Sequence, residues 1–88
     1  MQKFQGAVIK EQGVTFAVVV VKKSVLDFPQ QRQSAIDNFS MVFPGLPIVL
    51  MAQDVSGRPT YWGRKDLAQF LSRVPLQAIP WEEYTLNA

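Results

Sequence analysis

The apolar positions fall into blocks with two periods, and their order reads β-β-α-β-β-α followed by an extended C-terminal strap. Phe4 to Ile9 reads as a first strand, with Glu11-Gln12-Gly13 as a tight turn in which glycine takes positive φ. Val14 to Val21 follows, a β-branched run too short for a buried helix. Successive strand residues point to opposite faces, so Phe16, Val18 and Val20 make one apolar face, and Ala17, Val19 and Val21 the other. Such a strand belongs in the middle of a sheet.

Asp27 is positioned as a helix N-cap, with Pro29 in the first turn, where its missing N–H costs nothing. Ala35, Ile36, Phe39, Val42 and Phe43 then recur on one helical side, opposite Gln30, Gln31, Arg32, Gln33, Asp37 and Asn38. Pro44-Gly45-Leu46-Pro47 ends that helix. Ile48 to Gln53 forms a second central strand, Asp54 to Gly57 a hairpin loop, and Thr60 to Trp62 a return strand that Pro59 marks as an edge. Leu67, Phe70, Leu71 and Val74 give the stripe of a second helix, stopped before Pro75. Gln77 to Leu86 holds Ile79, Trp81 and Tyr84, and Pro80 makes it an edge strand or a strap. The expected fold is α+β: a mixed, mostly antiparallel sheet of four or five strands with two helices on one face. Residues 1–88 form one domain, as the length of 88 residues requires.

From Leu46 to Leu71 the chain resembles the last third of a thioredoxin-fold domain. Pro47 precedes the apolar strand, Gly57 lies in the hairpin, Tyr61 stands in the edge strand and Gly63 precedes the helical Leu67-Ala68-Gln69-Phe70-Leu71. With the strand and helix before it, the likeness covers roughly two thirds of the chain. It implies a thioredoxin-like architecture for that part. It implies no redox activity, because thiol exchange needs sulfur and the chain has no cysteine.

Composition narrows the chemistry. The chain has 48% hydrophobic and 18% charged residues, against roughly 25% charged in soluble domains, so it should be ordered. Without cysteine or histidine it lacks thiolate ligands, the commonest metal ligand and the usual neutral-pH base. No cofactor or metal site is expected. A short cysteine-free domain without a signal-like start fits the cytoplasm, and Val14 to Val21 is far too short to span a bilayer.

The candidate sites are three. Two strands apolar on both faces, with both helices on one face, would leave an apolar patch bare. Its interface residues are Val19, Val21, Val49 and Met51, with Trp62 and Trp81 as aromatic anchors. A second copy in a C2 homodimer, the C-terminal strap, or helices on opposite faces would each cover it. The leading reading is a non-enzymatic binding or regulatory module acting through protein contacts. The alternative is a nucleic-acid-associated protein using Arg58, Tyr61, Arg64 and Lys65, where basic and aromatic residues interleave. A net charge of +2 gives that alternative no broader basic stripe. Third stands a small enzyme working without histidine or cysteine. Asp54 and Ser56 read as backbone-binding loop residues, and Glu82 and Glu83 as neighbours facing opposite ways.

Overall fold

The computed structural model describes residues 2–11 and 13–86; Gln12, at the predicted first turn, lies outside them. In chain order the elements are β1 (Gln2–Glu11), β2 (Val14–Val20), α1 (Lys23–Asp27), α2 (Pro29–Ser40), β3 (Ile48–Gln53), β4 (Pro59–Trp62), α3 (Lys65–Ser72), a 3₁₀ turn (Leu76–Ala78) and β5 (Glu82–Leu86). The five strands form one sheet in the order β4-β3-β2-β1-β5. Only β2 and β3 are parallel, with Val18 beside Val49 and Val19 beside Leu50. The other pairs are antiparallel, so the mixed α+β sheet is as expected, and the tail is its outer strand.

The helices depart from expectation in one decisive way: they lie on opposite faces. A parallel pair needs a crossover, and α1 and α2 supply it between β2 and β3. They cover Ala17, Val19, Ile48, Leu50 and Ala52 with Leu26, Ile36 and Phe39, joined by Phe43 from the turn after α2. That helix ends at Ser40 and so leaves Val42 and Phe43 outside the helix expected to hold them. The chain then leaves β4 at one edge and crosses to β5 at the other, carrying α3 and the 3₁₀ turn over the second face. There Leu67, Leu71 and Ile79 pack on Ala7, Phe16, Val18, Val49 and Met51. Phe16, Leu50 and Leu71 are fully buried, each worth roughly 1.5–3 kcal/mol of transfer free energy. The doubly apolar central strands are thus satisfied by a helix layer on each side.

Local details follow from residue chemistry. Lys23–Asp27 forms a short helix that the sequence pattern did not show, and Asp27 ends it instead of capping the next. Phe28 is the N-cap of α2, in extended backbone, with Pro29 at the first helical position. Gly13 takes φ +80° in the hairpin, the conformation its missing side chain permits. Gly63, after β4, lies so close to β3 that a Cβ would stand 3.1 Å from both the Ile48 carbonyl oxygen and Val49 Cγ2. This close approach fixes how β4 leaves the sheet and enters α3.

Candidate functional site

The predicted apolar patch does not exist. Val19 and Val49 are fully buried and Met51 is 2% exposed, so no second copy can reach them in this fold. They do not share a face either, because the parallel register sets Val49 beside Val18 and turns Val19 toward α2. Val21 is half-buried against the α1–α2 layer. Trp81 is half-buried over the other face, and its indole Nε1 donates to the Leu76 carbonyl at 3.0 Å. The expectation failed because it placed both helices on one side of the sheet.

Trp62 is different. It ends β4 on the α2 side, opposite Leu50, and is 39% exposed. The Arg32 guanidinium lies over its ring, 4.9 Å from the centroid, close enough for cation–π attraction. Arg32 Nη1 also donates to the Leu26 carbonyl at 2.6 Å, which ties α2 back to α1. Its Nε is buried with no hydrogen-bond partner, and no carboxylate lies within ion-pair distance of it among the described residues. Four residues earlier, at the N-cap of α2, Phe28 is 55% exposed. Arg32 over Trp62, with the exposed Phe28 at the N-cap of the same helix, is the candidate strip: two exposed aromatics and a cation with no carboxylate in ion-pair distance among the described residues.

This strip borders an open sheet edge. Among the described residues β4 pairs with β3 alone. The Asp54 N–H donates to the Arg58 carbonyl at 3.0 Å, which sets the alternation of the antiparallel ladder. Thr60 and Trp62 accordingly aim their backbone groups at β3, while Pro59 and Tyr61 aim theirs outward. Proline has no N–H, so the edge offers the Tyr61 N–H and the Pro59 and Tyr61 carbonyls. The hairpin feeding it is held by Asp54, whose Oδ1 accepts from Ser56 Oγ at 2.7 Å and from the Ser56 and Arg58 N–H groups, each at 2.9 Å. The Ser56 hydroxyl bond, then the Arg58 N–H, holds the Asp54 carboxyl below the usual carboxylate range. Asp54 and Ser56 are thus the loop residues their sequence suggested.

The segment Arg58 to Lys65 is not the stacking platform the nucleic-acid reading needs. Tyr61 points to the α3 side, packed against the core of that face, with its hydroxyl buried and unpartnered. Desolvation pushes its pKa up. Arg64 is closed on Asp66, Nη2 to Oδ2 at 2.7 Å and Nε to Oδ1 at 3.2 Å. That bond from Arg64 is the main cause of Asp66's lowered pKa. Only Arg58 and Lys65 remain as exposed cations outside ion pairs among the described residues of that segment.

A cleft of about 430 Å³ between the β1–β2 end and α3 holds Glu11, Asp66 and Arg73, but Arg64 already engages both Asp66 oxygens. A groove of about 440 Å³ runs over Val20 and Met51 beside Leu76 and Trp81, rimmed by Gln5, Gln53 and Gln77. No cluster of three acidic, histidine or cysteine residues that could hold a metal occurs among the described residues. No helix among them is long and apolar enough to cross a membrane.

Sequence reasoning missed two members of the strip. The sequence pattern puts Arg32 on the wet side of its helix and Phe28, behind an Asp27 cap, in that helix's first turn, whereas Phe28 is itself the N-cap. The signal for Arg32 was tertiary, because Trp62 is 30 residues away in sequence. Against known proteins, no family model matches the chain, and no significant match was found among curated proteins or solved structures.

Proposed function

We propose that the protein is a non-enzymatic binding module of the cytoplasm that works through protein contacts at its β4 edge. The observation that carries this reading is the Trp62 ring, exposed on an open sheet edge and covered by an Arg32 that has no carboxylate within ion-pair distance among the described residues. Tryptophan and arginine are the side chains most enriched at interface hot spots, because each brings area and a directed polar group. Phe28 extends the apolar contact without adding charge. The sheet faces take no part, being internal core. The cysteine-free composition supports a reducing compartment.

Photo-crosslinking tests this directly. A benzophenone amino acid placed at position 62, and in a second variant at position 41, is irradiated in living cells of the native host. Met41 is 70% exposed and lies after α2, away from β4, so it serves as the control. The reading expects a discrete protein adduct from position 62 that is lost with Arg32→Glu and absent from position 41. Equal adducts from both positions, or none from position 62, would reject the β4 edge as a contact surface.

A further inference from the structure

The same strip carries a statement about what it binds, which rests on the protein-contact reading above. We infer that the β4 edge receives an extended, carboxylate-bearing segment of a partner protein as a sixth, antiparallel strand.

Backbone, geometry and charge support this independently. The outward Tyr61 N–H and the Pro59 and Tyr61 carbonyls are what an added strand needs for a short ladder. Residues directly opposite across a strand pair share a face and approach within about 5 Å at Cβ. The residue that pairs with Trp62 therefore projects on the α2 side, where Arg32 sits over the indole. A carboxylate there meets a guanidinium whose attraction is strengthened by partial burial, and no acid among the described residues competes for it. Arg58, just before β4, is an exposed cation outside any ion pair among the described residues, while Asp66 is already engaged by Arg64.

A second copy fits less well at this edge. A two-fold pairing of β4 with itself centres on Tyr61, the one residue with both N–H and C=O outward. That register sets Thr60 of each copy opposite Trp62 of the other, so the residue facing Trp62 brings no carboxylate to Arg32. Pro59 also deprives each copy of one outward donor.

The test is a fluorescence titration of the Trp81→Phe variant, so that Trp62 is the only reporter, with three blocked hexapeptides. One alternates glutamate and valine, one alternates lysine and valine, and one is the glutamate peptide with a central proline. The expected result is saturable binding of the first alone, weakened roughly tenfold or more by Arg32→Ala. Raising salt from low to physiological strength should weaken it further. Circular dichroism of each variant confirms that the fold is kept, and Arg32→Lys serves as a second variant that keeps the charge but loses the planar stack. Binding of the lysine peptide as well as the glutamate peptide, binding indifferent to Arg32→Ala, or no saturable binding at millimolar peptide overturns the inference. So does a dimer in sedimentation velocity that Tyr61→Pro dissolves. A position-62 adduct together with any of these results leaves the contact surface standing and removes only the acidic-strand occupant.

Discussion

The two edges of the sheet are built from similar residues and end in opposite conditions. At β5, the Tyr84 ring is stacked on Phe4 at 5.5 Å and meets Phe43 edge-on at 5.0 Å, so its aromatic surface is spent inside the molecule. The Tyr84 hydroxyl donates to Glu82 at 3.2 Å, and Glu83 faces Lys3 at 3.6 Å. At β4, the Trp62 ring is met by one cation, and that cation meets no acid among the described residues. The difference teaches that an edge strand is not a binding site by being unpaired. What sets β4 apart is an aromatic ring and a charge that no acid among the described residues answers.

If that contrast holds, aromatic truncation should separate stability from binding. Tyr84→Ala removes a ring from a three-aromatic contact and should cost about 2–4 kcal/mol, read as a lower midpoint in urea unfolding. Trp62→Ala should cost about 1 kcal/mol or less in the same assay, because its ring is partly solvated and its main partner is a cation. The same substitution should abolish the slowing of Tyr61 amide exchange by the glutamate–valine peptide. A reversed ranking would mean that Trp62 is a structural residue and β5 the open edge. A smaller effect comes from pH. The Asp54 carboxyl sits below its ordinary range, so its support of the β3–β4 hairpin is complete above that range. The support is lost as pH falls through the lowered value. The Ser56 and Arg58 amide resonances should shift together at that acid midpoint, while those of β5 stay unmoved. Lys3→Ala should change stability by no more than about 0.5 kcal/mol, since its ion pair with Glu83 is solvent-exposed.

Most of the sheet could be read along the chain because the strands carry period-2 or doubly apolar patterns. Val14 to Val20 and Ile48 to Gln53 were central for the reason the sequence gives: neither face of either strand can be left wet. The helix at Lys65–Ser72 followed from Leu67, Phe70 and Leu71 in the same way. What could not be read was which side each helix takes. That depends on strand order: α1 and α2 join neighbouring parallel strands, whereas α3 starts from one edge and delivers the chain to the other. The mistake propagated, because a one-sided helix layer would have bared Met51 and Val49, which are in fact beneath α3. Within the candidate site, Trp62 was legible as an aromatic on an edge strand. Arg32 was not, since a lone cation on a glutamine-rich helix face has no local sign that it will lie on a ring.

The most direct measurement is backbone amide hydrogen exchange, read residue by residue on the protein alone and then with the glutamate–valine peptide at saturation. The Tyr61 N–H, pointing away from β3, should exchange fast in the free protein and slow at least tenfold on binding, while amides on the outer edge of β5 remain unchanged. Equal protection at both edges, or a Tyr61 amide indifferent to the peptide, would contradict the assignment of β4 as the edge that receives a partner.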